Sequence, residues 1–567
     1  MASQSSDPAK ILSDMLSAGQ ELMHQFAGAP VAPPGAQAEP SVDFTETSKQ
    51  FAEMQQQYLK QVTNFWSGML GMPVQTQKTE DKRFASEAWR DDPRFSLVRG
   101  AYQAYTEFLE KSVESAEVDD KTRGQLRFAA RQFADAMSPT NFFATNPDAM
   151  QMATETGGQS LTEGMKLFFQ DLAKGRISMT DETAFEVGKN LAVTPGAVVF
   201  ENDLIQLLQY NPSTKQVFER PLVIIPPCIN RFYILDLQPE NSFVRYAVEQ
   251  GHTVFMVSWR SINPELGHLT WDDYVQSGVM KAIDVAREIT ETDRVNTLGF
   301  CVGGTLLASA LAVLAHKDQH PAVSLTLLTN MLDQSDPGEI GLLISEQSVA
   351  AREAAIGKGG VFHGKELAFV FSSLRANDLI WQYVVNNYLK GKAPPAFDLL
   401  YWNSDASNLP GPMFCWYIRN LYLENAVRIP GKTVQCGVPV DLSTITVPAY
   451  LYASREDHIV PWKSAYASRG LLSGETTFVL GASGHIAGVI NPASKNKRNY
   501  WADGAGKDDP EQWLASAKGI PGSWWPHWSA WLAKYAGEQV PARNKLGSKE
   551  YSPIEPAPGR YIKEKAD

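Results

Sequence analysis

A cysteine stands where the surrounding chain calls for a nucleophile. In "NTLGFCVGGTLLASA", from Asn296 to Ala310, Gly299 and Gly303 flank Cys301 two residues to either side, between an apolar run and a small-residue segment. That spacing predicts a sharp strand-to-helix turn, a nucleophile elbow, whose strained backbone leaves room only for glycine beside the reactive residue. A helix starting at Val302 aims its N-terminal N–H groups and positive dipole end at the sulfur, which favours a thiolate. A buried cysteine beside a glycine turn is the ordinary alternative. The position between strand and helix argues for the reactive one.

A thiol nucleophile needs a base, and the base needs an orienting group. In this arrangement the chain order is nucleophile, acid, histidine. After the strand "VPAYLYAS" comes "REDHIVPW", which puts Asp457 in the loop at the strand's carboxyl end. After "TTFVL" comes "GASGHIAGVINP", which puts His485 in a small-residue loop. Both fall beyond the carboxyl ends of strands, where an α/β sheet collects its ligands. Asp333, after "LTLLTN", is the competing acid, and His458 reads as a loop residue beside Asp457. The other seven of the nine histidines read as surface or packing residues. An oxyanion needs two backbone donors. One is the N–H of Val302; the second comes from "PPCIN", where Pro226 and Pro227 have no N–H and Ile229 or a neighbour must serve.

Sulfur suits a substrate that is itself a thioester. Exchange of thiolate for thiolate is nearly isoenergetic, so an acyl group stays activated for a later attack, whereas a serine ester would discard that activation. The chemistry indicated is acyl transfer, with water as the competitor to be excluded.

The elements that must hold these residues follow from hydrophobic periodicity. From about residue 195, "GAVVFENDLIQLLQY" reads as a hairpin. "RPLVII", "HTVFMVSW", "RVNTLGF", "VSLTLLTN", "VPAYLYAS" and "TTFVLGAS" are apolar runs, the earlier ones separated by helical stretches, which indicates a mostly parallel sheet covered on both faces. Between Asn330 and Val447 lies an aromatic-rich insertion, read as a helical cap over about residues 333–440. Before the sheet the chain is helical. Phe95, Val98, Tyr102, Tyr105, Phe108 and Leu109 repeat at helical spacing behind the "DDPRF" start signal. So do Phe51, Met54, Tyr58, Val62, Phe65 and Met69, and a shorter stripe holds Leu12, Met15, Leu22 and Phe26. The proline- and alanine-rich "GAPVAPPGAQAEPSV" is expected to be disordered. The expected organisation is a partly disordered helical segment over 1–80, a helical domain over 81–195, and a catalytic α/β domain over 196–567 carrying the cap.

The bulk numbers agree with a globular enzyme. The 567 residues allow two or more domains, at 44% hydrophobic and 20% charged residues. A net charge of -12 argues against a nucleic-acid coat protein. Four cysteines without a CxxC pair indicate neither a disulfide framework nor a zinc site, and suit a reducing compartment. No signal peptide is expected, and the apolar run from Leu306 to Ala315 is too short to span a bilayer. The location expected is cytosolic.

These motifs carry a resemblance. "GFCVGGT", "PPCINRFYILDLQPENSFVRYAVEQGHTVFMVSWR", "GPMFCWYIRNLYLEN", "REDHIVPW" and "GASGHIAGVINP" resemble segments of the polyhydroxyalkanoate synthases of the single-subunit, short-chain (class I) kind, across about residues 85 to 560. The resemblance implies an α/β-hydrolase fold and (R)-3-hydroxyacyl-CoA as substrate, with polyester and free CoA as products. It implies that Cys301 holds the growing chain and His485 activates the thiol. Asp457 orients His485 or helps deprotonate the incoming 3-hydroxyl. It further implies no metal or redox cofactor, a homodimer, and work on cytoplasmic polymer granules, with the N-terminal region engaged in dimerisation, granule attachment or binding of granule proteins. Two other readings stand beside it. One is a cysteine hydrolase of thioesterase or dienelactone-hydrolase type. The other is a granule scaffold using Trp524, Trp525, Trp528 and Trp531, whose plainer role is to pack a terminal helix.

Overall fold

A computed structural model describes residues 81–506 and 508–566. The stripes at Leu12–Phe26 and Phe51–Met69 and the linker between them lie outside the described residues. The chain divides into two compact units, one of residues up to 181 together with 370–396, the other of residues 182–369 and 397–567.

The described part of the first unit is helical. Helix α1, Pro93–Glu114, starts as its sequence predicts: Pro93 occupies the first turn, and the Asp92 carboxylate accepts the Arg94 N–H. Helix α2, Asp120–Ala136, is capped the same way by Asp119, and the two pack through Leu109, Val113 and Ala130. Helix α3 follows at Gln159–Lys174 and ends in the left-handed Gly175. Residues 370–396, expected in the cap, instead belong to this unit. The reason is polar: Asn377 donates to Asp135 (2.7 Å), the Tyr388 hydroxyl to Asp171 (2.8 Å) and Asn387 to the Ser178 carbonyl (2.8 Å). The unit also closes at residue 181 and not at 195. Leu191 and Ala192 are buried in the core of the sheet unit, and Thr194 donates to Asp236 there.

The second unit is built on one sheet of eleven strands: β1 Gly196–Glu201, β2 Ile205–Tyr210, β3 Leu222–Ile225, β4 Val254–Trp259, β5 Val295–Phe300, β6 Ala322–Leu328, β7 Ala449–Ser454, β8 Thr476–Gly481, β9 Asn499–Ala502, β10 Lys518–Pro521 and β11 Glu555–Pro556. Its order is β10-β9-β8-β7-β6-β5-β3-β4-β2-β1-β11. Strands β3 to β8 run parallel, and the outer strands on both sides run antiparallel. The parallel strands are almost wholly buried, which is why they read as unbroken apolar runs with no alternation. Each face of the sheet carries its own apolar cluster. Helix α4, Val302–His316, leaves β5 and is buried along nearly its whole length, so its small residues let it lie close against the strands. Two further helices are α5 at His485–Val489, which follows β8, and α6 at Trp525–Ala533. Among the described residues no helix is long and apolar enough to cross a membrane.

Candidate active site

The turn between β5 and α4 holds Cys301 at φ 52° and ψ −131°, a left-handed conformation that costs a non-glycine residue of order 1–3 kcal/mol. The surrounding contacts fix that strain. A Cβ on Gly299 would fall 2.4 Å from the Gly304 Cα, and one on Gly303 would fall 2.3 Å from the Ile225 carbonyl oxygen. Both positions demand glycine by close approach. Asn330, just beyond β6, donates its side-chain amide to the Cys301 carbonyl at 2.7 Å and to the Thr305 hydroxyl at 2.9 Å. It thus latches the turn to the first turn of the helix. Asn330 bears no sequence motif, and only the strand register reveals it.

The strands after the elbow deliver the other two groups. Asp457 follows β7, and His485 opens α5 after β8; β6, β7 and β8 are neighbours, so their carboxyl ends share a rim with β5. Nδ1 of His485 lies 2.7 Å from Oδ2 of Asp457, with the carboxylate side chain fully buried and the imidazole nearly so. The other carboxylate oxygen accepts the backbone N–H groups of Ile459 (2.8 Å) and Val460 (2.9 Å). Cys301 is near enough to act on the charge of the imidazole. Burial pulls the imidazole pKa down, but the charge and hydrogen bond of Asp457, with the nearby Cys301 adding to them, outweigh it and lift the value to about 10. The site therefore favours the imidazolium, the form reached when a proton leaves the sulfur.

Asp333 is engaged elsewhere. Its carboxylate takes Ser335 (2.6 Å) and Asn425 (2.7 Å) as donors and lies 3.7 Å from Arg428. Burial opposes ionisation there, yet these donors hold its pKa below the usual carboxylate range. His458 sits half-buried in the loop after β7.

The oxyanion candidates lie on facing loops. Val302 is the first residue of α4, and the elbow packs on the end of β3, since a Cβ on Gly303 would also come within 2.5 Å of the Pro226 carbonyl oxygen. Ile229 lies three residues past Pro226, half-buried against the core. Cys228 between them is buried, and burial pushes its thiol pKa up, with Cys301 adding to the effect.

Two tyrosines of the insertion feel the charge of the sulfur. The hydroxyls of Tyr417 and Tyr422 are 3.3 Å apart, and both phenols are pushed up in pKa by burial and by charge on Cys301. Tyr417 and Trp416 stack on Trp271 at 6.2 and 4.5 Å. The aromatic character of the insertion was visible in the sequence; this pairing was not.

The tryptophan-rich segment supports the histidine. Trp524, Trp525, Trp528 and Trp531 are all buried. The indole N–H groups of Trp524 and Trp525 donate to the Gly488 and Val489 carbonyls at 3.1 and 2.9 Å, satisfying the free end of α5. Among the described residues no cluster of three or more metal-ligating side chains occurs.

Comparison with known proteins adds sequence kinship to this geometry. Residues 80–247 match the model of the poly-beta-hydroxybutyrate polymerase (PhaC) N-terminus, and residues 221–492 match that of the alpha/beta hydrolase fold. The chain is 53% identical over 523 residues to the poly(3-hydroxyalkanoate) polymerase subunit PhaC of Cupriavidus necator, covering 91% of this chain and 89% of that one. It is 43% identical over 501 residues to the protein of the same name from Rhizobium meliloti, covering 87% and 81%. A solved monoacylglycerol lipase of Paleococcus ferrophilus aligns at 13% identity over 59% of this chain and 98% of its own, with a TM-score of 0.33.

Proposed function

The chain belongs to the PhaC family of poly(3-hydroxyalkanoate) polymerases, and we propose that it polymerises short-chain (R)-3-hydroxyacyl-CoA, such as 3-hydroxybutyryl-CoA, into polyester with release of CoA. The observation that carries this reading is the buried 2.7 Å pair of His485 and Asp457, whose imidazole is electrostatically coupled to a cysteine in a strained turn.

In the proposed cycle the Cys301 proton passes to Nε2 of His485, and the thiolate attacks the thioester carbonyl. The N–H of Val302 and a donor at Ile229 take the oxyanion charge. Collapse breaks the bond to the CoA sulfur, which leaves with the proton from His485, and Cys301 keeps the acyl group as a thioester. The 3-hydroxyl of an incoming acyl-CoA then gives its proton to His485 and attacks the Cys301 thioester carbonyl. The ester C–O bond forms as the bond to Cys301 breaks, and the freed thiolate takes the lengthened chain back from its CoA thioester, releasing CoA with the proton from His485. Asp457 spends its carboxylate on three donors, which supports an orienting role and leaves the proton transfers to His485. The cycle balances without a metal or redox cofactor. Tyr417 and Tyr422, with the stacked aromatics behind them, favour an apolar channel that keeps water from the acyl-cysteine. An insoluble product supports a location at the surface of a cytoplasmic granule, and we propose a homodimer there.

Incubation of the purified protein with 3-hydroxybutyryl-CoA tests the reading. Insoluble polyester with stoichiometric free CoA is the expected result. Soluble 3-hydroxybutyrate in place of polymer would assign the same residues to a cysteine hydrolase.

A further inference from the structure

The loop that carries Ile229 is held by a buried ionic network reaching the far end of the chain. Arg231 directly follows that loop, and its side chain is fully buried. Its guanidinium lies 3.6 Å from Oδ1 of Asp405 and donates through Nη2 to the Glu564 carbonyl, while Nε and Nη1 have no hydrogen-bond partner. Asp405 is buried too, and it collects the Tyr233 hydroxyl (2.9 Å) and the Lys565 ammonium (3.0 Å). The backbone on either side is tied to the same neighbours. The indole of Trp402 donates to the Arg231 carbonyl at 2.7 Å, Asn230 bridges to Ala406, and the Ser407 N–H reaches the Ile229 carbonyl at 3.5 Å.

The tail is anchored independently of this network. Tyr561 and Ile562 are buried, the Tyr561 hydroxyl donates to the Asn202 carbonyl at 2.9 Å, and Arg260 pairs with the Glu564 carboxylate at 3.0 Å. Residues 561–565 therefore form a fixed strap. A charge as deeply buried as that of Arg231 is costly unless it is paired, so the loop conformation that pairs it is strongly selected.

We propose that this strap is a positioning device for the reaction: Glu564 and Lys565, through Arg231 and Asp405, set the loop that presents the Ile229 N–H to the oxyanion. The proposal rests on the acyl-transfer reading above. Arg231 and Asp405 are positioning residues, and none of the four contacts substrate in this account. An oxyanion donor acts only in the transition state, so loosening the strap lowers kcat and leaves KM in place.

The test uses the full-length protein and three variants, Lys565→Met, Asp405→Asn and a truncation after Lys563. CoA release from 3-hydroxybutyryl-CoA is followed at varied substrate, and the alkylation rate of Cys301 by iodoacetamide is measured alongside. Alkylation needs the thiolate but no oxyanion hole. A displacement on the order of 1 Å costs about 100-fold in rate, so the truncation should lose between about 10- and 100-fold in kcat. Lys565→Met, at a side chain more than half exposed, should lose severalfold. In each case KM and the alkylation rate should stay within about twofold. A folded truncation or Lys565→Met protein with unchanged kcat would overturn the proposal, as would a raised KM at constant kcat or a parallel fall in alkylation. Absence of CoA release from the unmodified protein would instead strike the acyl-transfer reading, so the two failures are separable.

Discussion

The two units dispose of their apolar side chains in opposite ways. The sheet unit hides them: its two core clusters take in nearly every large aliphatic and aromatic residue of β3 to β8, and four tryptophans near its end are buried. The helical unit leaves many in the open. Along α3 the residues Leu161, Met165, Phe168, Phe169 and Leu172 share a stripe, and all are exposed, Leu172 by 65%. Its described apolar cluster holds only Leu109, Val113 and Ala130 with three partly buried neighbours. The difference separates two uses of hydrophobicity. In the sheet unit it fixes the chemistry to within ångströms; in the helical unit local capping and polar ties such as Asn377–Asp135 carry more of the order.

The strongest way to sharpen the contrast is to break the chemistry without breaking the core. Cys301→Ala should abolish CoA release while circular dichroism and melting temperature stay close to those of the parent. Residual release at the parental rate would point to another nucleophile. Next, Asp457→Asn should slow turnover by on the order of 10³-fold or more, by freeing the wrong imidazole tautomer. Asp333→Asn, which disturbs only Ser335, Asn425 and Arg428, should cost far less. The reverse ranking in steady-state assays would move the acid.

Stability supplies the smaller effects. Trp528 is wholly buried and donates to Thr326, so Trp528→Ala should cost about 3–5 kcal/mol in denaturant unfolding. A buried histidine gives a pH signature. His252 stacks on Phe218 with neither ring nitrogen hydrogen-bonded, and burial pulls its pKa down to about 4. The folded state thus holds it neutral, while the unfolded chain takes up a proton below about 6.5. Stability from this site is complete above pH 6.5 and is lost as pH falls toward 4, by up to about 1.4 kcal/mol per pH unit. His252→Phe should flatten that part of the melting-temperature profile. Smallest of all, Met165→Gln and Leu172→Gln on α3 should change stability by no more than about 0.5 kcal/mol, as exposed substitutions do.

Legibility in the sequence followed the same division. The parallel strands were readable because burial on both faces leaves unbroken apolar runs, and the elbow because only glycine tolerates its contacts. The contact of Asp457 with His485 was readable because the ends of parallel strands are where side chains converge. Strands β9, β10 and β11 escaped notice: they are short, antiparallel and partly exposed, at or next to the sheet edges, and β10 and β11 also contain proline. The closing residues read as a polar tail, since the burial of Tyr561 and Ile562 depends on partners near residues 202–260. Asn330 and the Tyr417–Tyr422 pair depend on register and packing, which no local pattern encodes. The division of residues 333–440 between the two units turned on single polar bonds, equally invisible from composition.

The wide separation of the elbow at residue 301 from its imidazole at residue 485 also has a temporal side. A growing polypeptide that has just released the glycine turn from the ribosome owns a sulfur but no base, and the two strands that will bring one are still to be synthesised. Contacts of such long range form slowly. In the proposed cycle, acyl loading therefore waits on the sheet growing outward through β7 and β8, so an unfinished chain lacks the imidazole with which to capture and squander thioesters.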